Sequence, residues 1–214
     1  EYNYTQELNV IDDKYRTFYE VFVYSYADSD GDGIGDLNGL AAKLDYIQEM
    51  GFNGIWLMPI NPSTTYHKYD VIDYMDIDKE YGTLEDFQNL LNECHKRDIR
   101  LIMDFVVNHT STRHEWFKQA VSALENGEDS PYIDYYNFSQ NKSEIDQPYK
   151  AGNSDWYYEG KFWSEMPDLN LENESLRADL EEIMAFWLDM GVDGFRIDAA
   201  KEFYSGNPEK ISRF

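Results

Sequence analysis

The sequence predicts an α/β fold built on a parallel sheet, and three observations carry that prediction. Short, continuously apolar segments recur along the chain, amphipathic helical segments separate them, and polar residues stand at or just past the C-terminal end of the apolar segments. In a parallel sheet those C-terminal ends share one face, where sites are built.

The elements follow in order. Phe18 to Tyr24 (FYEVFVY) is aromatic and β-branched and reads as the first strand. Leu37 to Met50 carries a helical stripe of Leu37, Leu40, Ala41, Leu44 and Ile47, with Gly51 as its stop. Gly54 to Ile60 (GIWLMPI) is the second strand, Leu84 to Arg97 a helix with Leu84, Phe87, Leu90 and Leu91 on one side, and Arg100 to Val107 (RLIMDFVV) the third strand. Glu174 to Met190 is the strongest helical pattern, since Leu176, Leu180, Ile183, Trp187 and Leu188 share a face and Gly191 ends it. Gly194 to Lys201 (GFRIDAAK) is the fourth strand, fit for burial except for Arg196 and Asp198, and buried charges cost free energy unless paired.

One connection breaks the rhythm: the third strand and its following helix are separated by about sixty residues, where two to six are usual. The stretch is rich in Tyr, Asn, Ser and Trp, with a short helix expected from Glu115 to Leu124. It reads as an inserted lobe over 109–170, between a first sheet portion over 1–108 and a continuation over 171–214. Its aromatics are either a miniature core or platforms for the flat apolar faces of sugar rings.

Composition narrows the partners. Lys+Arg total 18 against 42 Asp+Glu, a formal charge of -24, which repels phosphate backbones and anionic membranes and argues against nucleic acid. Cys94 is the single cysteine, so an internal disulfide and a cysteine-based metal cluster are both excluded. No run approaches the roughly twenty apolar residues of a membrane span. No basic-then-apolar leader opens the chain, which reads as mature protein, and secretion with leader removal gives the same pattern.

The polar residues at strand ends form a constellation. Tyr69 and Asp70 follow the second strand within YHKYDVIDY, Asp104, Asn108 and His109 lie in or after the third, and Arg196 and Asp198 lie in the fourth. Each has a structural alternative: Asp70 as a turn cap, His109 as a satisfied loop histidine, Asp104 with Arg196 as an ion pair. A guanidinium two residues along a strand favours the charged form of a carboxylate, and Asp104 on the neighbouring strand could hold that guanidinium from the other side.

These motifs resemble those of the alpha-amylase family of glycoside hydrolases. Asp104-Phe105-Val106-Val107-Asn108-His109, Gly194 to Asp198, and Met166-Pro167-Asp168-Leu169-Asn170 stand in the family's order over nearly the whole chain. The resemblance implies the N-terminal half of a (β/α)8 barrel with a lobe inserted after the third strand. It also implies retaining hydrolysis, in which one carboxylate attacks the anomeric carbon and a carboxylic acid about 5 Å away protonates the leaving oxygen. By resemblance Asp198 is the nucleophile and Arg196 fixes its ionisation and orientation. Asp104 and His109 support the sugar at the cleavage subsite, Tyr69 stacks on it with His67 and Asp70 beside it, and Lys201 reaches toward the leaving group.

A metal site is also expected. DSDGDGIGD, Asp28 to Asp36, alternates aspartates with glycines in the manner of a calcium loop, since Ca2+ takes several hard oxygens and glycine permits the tight turn. The alternative is an acidic turn held by its own Asx hydrogen bonds. Members of the family with this loop bind calcium there, which implies Asp28, Asp30, Asp32 and Asp36 as side-chain ligands and Ile34 through its carbonyl. Asn108 matches a ligand of a different family calcium site.

Departures from the family pattern bear on specificity. Glu202 stands where many alpha-amylases have histidine, and the Met-Pro-Asp-Leu-Asn form is similar to that of neopullulanases and cyclomaltodextrinases. The family's general acid follows its fifth strand, so the C-terminal half of the barrel is required, most economically from the same polypeptide; Glu165 and Glu202 are not credible substitutes. The expected activity is retaining hydrolysis of alpha-1,4 bonds in a neutral alpha-glucan such as starch or maltodextrin, outside the cell or at its surface. The alternatives are neopullulanase-like, alpha-1,6-glucosidase or transglycosylase action, or a non-catalytic carbohydrate-binding role.

Overall fold

A computed structural model describes residues 16–206 and 208–211, which divide into two compact units. The first comprises the described residues within Glu1–Pro62, Tyr74–Phe105 and Glu181–Arg196, the second Ser63–Asp73, Val106–Leu180 and those within Ile197–Phe214. The lobe expected over 109–170 is therefore part of a larger unit that recruits the loop after the second strand and the chain beyond Arg196. No described helix is long and apolar enough to cross a membrane.

The first unit is built on strands β1 (Phe18–Val21), β2 (Gly54–Leu57), β3 (Arg100–Phe105) and β7 (Gly194–Ile197), in the order β1-β2-β3-β7. β1, β2 and β3 run parallel, with Phe18 opposite Gly54 and Gly54 opposite Arg100. Inward-facing Ile55, Leu57, Leu101 and Met103 are buried, as are Leu40, Leu44, Ile47, Phe87, Leu90 and Trp187 from the helices. Helix α4 (Leu84–Lys96) opens with a capping box, in which Thr83 accepts from the Asp86 amide and Asp86 from the Thr83 amide. The Trp187 ring meets Phe87 edge-on at 5.2 Å, and its indole N–H donates to the Tyr74 carbonyl at 2.8 Å.

Three elements differ from the sequence expectation. The first strand ends at Val21 and is followed by a single helical turn, α1 (Val23–Tyr26). Gly35 locks that turn: its amide donates to the Tyr24 carbonyl at 2.7 Å, and a Cβ there would lie 1.9 Å from the Val23 carbonyl oxygen. The expected helix over 37–50 is two, α2 (Leu37–Ala41) and α3 (Leu44–Glu49), broken at Ala42 and Lys43, although the apolar stripe stays buried through both. β7 is half-exposed throughout rather than buried, as the last strand of the sheet among the described residues.

The second unit contains α5 (Glu115–Asn126), closed by Gly127 in the left-handed conformation at φ 68°, and a three-stranded antiparallel sheet. That sheet joins β4 (Phe138–Ser139), β5 (Pro148–Lys150) and β6 (Tyr157–Glu159), with β6 in the middle. Phe117 of α5 packs against Tyr136, Phe138 and Tyr158 at 5.0–6.0 Å, so those lobe aromatics are its core. α6 (Glu174–Met190) keeps the expected limits.

Candidate active site

In the first unit, Asp104 lies at the end of β3 with its side chain fully shielded. One oxygen, Oδ1, accepts from Arg196 Nη1 at 3.0 Å, and the other accepts from the Trp56 indole N–H at 3.0 Å. The Arg196 guanidinium also lies over the Trp56 ring, 5.0 Å from its centroid. β2, β3 and β7 thus each supply one member of a hydrogen-bonded, stacked trio. The sequence offered Asp104 both to the sugar and to an ion pair with Arg196, and the geometry shows the ion pair, with the Trp56 indole as a second donor to a side chain that has no exposure.

In the second unit, a cavity of about 480 Å3 is lined by His67, Tyr69, Phe162, Trp163, Met166 and Asp198. Among the described residues Asp198 is the only carboxylate on that wall, and the surface around it is largely apolar. It stands just past β7, and the next residue, Ala199, has φ 53°, a left-handed conformation costly for a residue with a Cβ. The strand is therefore stopped abruptly at the carboxylate.

Segment 63–73 carries His67 and Tyr69, and Asp70 organises it. Ser63 Oγ, the Thr64 amide and hydroxyl, and Thr65 Oγ1 all donate to the Asp70 carboxylate, which is fully buried. Burial works to raise its pKa, and the donors together outweigh burial and hold it below the usual carboxylate value. Asp70 is not among the residues lining the cavity, and its hydrogen bonds show the turn-capping role that the sequence offered as its alternative. His67 Nδ1 accepts from the Tyr69 amide at 3.1 Å, which places the proton of the neutral ring on Nε2.

His109 is almost wholly buried, its ring 5.3 Å from that of Phe162. Burial pushes its pKa down to about 4, against the opposing charge of Asp198, a hydrogen bond with the Tyr69 backbone and the charge of Asp70. A neutral imidazole is therefore the form present near neutral pH. Lys201 does not reach the cavity wall; its side chain is 86% exposed and pairs with Glu202 at 3.3 Å. Glu202 is held by Lys161 at 2.8 Å, and that hydrogen bond first, then the one from Lys201, lowers its pKa. A carboxylate so stabilised is a poor proton donor, in keeping with its exclusion as general acid.

The two expected metal positions fare differently. Oxygens of Asp28, Asp30 and Asp36 lie within 4.8 Å of one another, a spacing one cation can bridge. Asp32 is outside that group; it accepts from the Ile34 amide at 2.7 Å. The loop is also held by its own hydrogen bonds, with Asp28 accepting from Gly31 at 2.6 Å and Gly33 at 2.9 Å. Asn108 is not joined by such a set among the described residues. Its Nδ2 donates to Asp168 at 3.3 Å, and burial, then Glu159, raises the Asp168 pKa to about 7.

Sequence reasoning missed Trp56, the ring that holds both Asp104 and Arg196, and did not single out Phe162 and Trp163. Both aromatics stand in the run NSDWYYEGKFW, where composition alone cannot separate core rings from exposed ones.

Comparison with known proteins bears on these features. The family model described as "Alpha amylase, catalytic domain" matches residues 20–213. Alpha-amylase 3 of Dictyoglomus thermophilum is 51% identical over 194 residues, 91% of this chain and 38% of that protein. An oligo-1,6-glucosidase of Parageobacillus thermoglucosidasius is 42% identical over 215 residues, 92% of this chain and 37% of that protein. The solved structure of Eubacterium rectale Amy13B superposes with a TM-score of 0.89 at 54% identity, covering 96% of this chain and 41% of that one. The chain therefore spans about two fifths of the relatives it matches.

Proposed function

The chain belongs to the alpha-amylase family of glycoside hydrolases and forms the N-terminal half of its (β/α)8 barrel, and from that premise we propose that the polypeptide completing the barrel hydrolyses alpha-glucosidic bonds of neutral glucans with retention. The observation that carries the proposal is the Asp198 carboxylate on a cavity wall made largely of aromatic and apolar residues, together with Tyr69 and His67. Flat apolar rings suit pyranose faces, and a carboxylate beside them suits attack on the anomeric carbon of a bound ring.

In the first step an Asp198 oxygen bonds to the anomeric carbon as the bond to the leaving oxygen breaks, and the general acid transfers its proton to that oxygen. In the second, water attacks the same carbon while one of its own protons passes to the now deprotonated acid, and the bond from that carbon to the Asp198 oxygen breaks. That acid comes from outside these 214 residues. Arg196 is fixed by Asp104 and Trp56, and His109, neutral and buried, is proposed to donate to a sugar hydroxyl.

The bond favoured is alpha-1,4, on the strength of the 51% identical alpha-amylase. Alpha-1,6 is the second reading, supported by the 42% identical oligo-1,6-glucosidase. We further propose that Asp28, Asp30 and Asp36 hold Ca2+, with Asp32 and Ile34 completing the shell if the loop tightens; the cation would brace the loop rather than take part in bond cleavage.

Asp198→Asn in the full-length polypeptide keeps the shape and removes the attacking oxygen. Turnover should vanish while sugar binding persists, and retention of about a tenth of the parent rate would sink the assignment. Products from amylose, pullulan and isomaltose separate the two bond readings.

A further inference from the structure

Segment 160–166 of the second unit presents two large aromatic side chains to the outside, Phe162 at 52% exposure and Trp163 at 44%. Exposed rings usually sit on loosely held chain, but this backbone is fastened along its length. Tyr158 Oη donates to the Ser164 carbonyl at 2.6 Å, the Thr112 amide to the Glu165 carbonyl at 3.0 Å, and the Met166 amide to the Trp163 carbonyl at 2.9 Å. Gly160 lets the turn close, because a Cβ there would lie 2.9 Å from the Trp163 carbonyl oxygen.

The Phe162 ring rests on His109, and both aromatics line the cavity that holds Asp198. A rigid backbone with outward rings is a preorganised surface, since little freedom remains to be lost on binding. The cavity, at about 480 Å3, is of the size that receives drug-sized ligands rather than a single small ring. Tyr69 and His67 supply one part of its wall from a separate segment, which leaves the Phe162–Trp163 part for a further group.

We propose that Trp163 is the stacking platform for a second sugar ring, adjacent to the ring attacked by Asp198, and that it sets the enzyme's preference for substrates of two or more linked sugars. The inference rests on the proposed glycosidase function. The alternative occupant is the remainder of the barrel, which would use Trp163 as ordinary packing.

The test compares Trp163→Ala and Trp163→Phe with the parent full-length polypeptide on two substrates. One is alpha-glucosyl fluoride, whose leaving group is a single atom and which needs no second ring. The other is the better cleaved of maltotriose and isomaltotriose. Trp163→Ala should lower kcat/KM on the trisaccharide about tenfold and leave the fluoride within about twofold, with Trp163→Phe recovering most of the loss. An equal loss on both substrates, as packing would give, overturns the platform, and so does an unchanged trisaccharide rate. A parent that hydrolyses neither substrate refutes the glycosidase reading itself and the platform with it. A parent active on both with an indifferent Trp163→Ala refutes the platform alone.

Discussion

Asp104→Asn is the sharpest probe of the strand-end trio. The substitution keeps the side chain's shape but replaces one acceptor oxygen with an NH2 group. Both acceptors are in use, Oδ1 by Arg196 and Oδ2 by the Trp56 indole, each at 3.0 Å. Whichever way the new amide turns, one donor faces another. The side chain has no exposure, so water cannot repair the conflict there, whereas Arg196 at 37% exposure can recover some hydration. The expected loss of stability is therefore about 3 kcal/mol, the lower end of the range for removing one partner from a buried ion pair. Urea unfolding of the full-length protein reads it as a shift of the midpoint at constant slope. Trp56→Phe supplies the control. Alone it leaves one Asp104 oxygen short of a donor, but in the Asp104→Asn background the amide can turn its NH2 toward the vacated side and its oxygen toward Arg196. Trp56→Phe should then cost about 1 kcal/mol less than in the parent. Costs that simply add, or an Asp104→Asn loss below about 0.5 kcal/mol, would refute the trio as a coupled unit.

Asp70→Ala removes the buried acceptor of four donors on a partly exposed loop and should cost about 2 kcal/mol while raising KM, because the loop carries Tyr69 and His67; an unchanged melting temperature would deny Asp70 its organising role. Calcium at about a hundred times its Kd should stabilise the parent by about 2.7 kcal/mol over a chelated sample, and Asp30→Ala should abolish that difference. Between pH 4 and 6.5 stability should rise with pH, because His109 and His114, both pushed down to about 4 by burial, bind fewer protons folded than unfolded. Asp168, raised to about 7, opposes them, so the net slope near pH 5 is about 1 kcal/mol per pH unit. Asp168→Asn should about double it and His114→Asn should flatten it to near zero, as urea midpoints across that range will show.

The parallel sheet, α4, α5 and α6 were legible because their signals are local: apolar periodicity and a Gly stop set the limits of α6, and Thr83 with Asp86 sets the start of α4. The first strand was overrun because Phe22 to Tyr26 keeps β-forming composition, while the chain bends where Gly35 docks on it, a contact made from the far side of a loop. The break at Ala42 and Lys43 left no trace in the apolar stripe, since both helices bury the same side. The candidate residues were found because strand ends are recognisable in sequence. Their division of labour was not, because it depends on which donors surround each carboxylate.

That division follows one physical rule, and it reverses the weight a sequence reader gives to polar and apolar residues. A charged side chain inside a fold invites a catalytic reading, yet Asp70 and Asp104 are buried with donors on both oxygens, and a carboxylate so satisfied gains little by binding a ligand. An aromatic ring invites a core reading, and for Phe117 and Tyr158 it is right. Phe162 and Trp163 are the opposite case, apolar surface left in water on a backbone that cannot fold it away, which is the group with most to gain from a partner. Two of the exposed rings therefore stand on one wall of the second unit, which among the described residues also carries the Asp198 carboxylate. A neutral sugar, apolar on its faces and hydroxylated at its edge, is the partner proposed for that wall, with the buried acids as framework and Trp163 proposed as the place where substrate chain length is read.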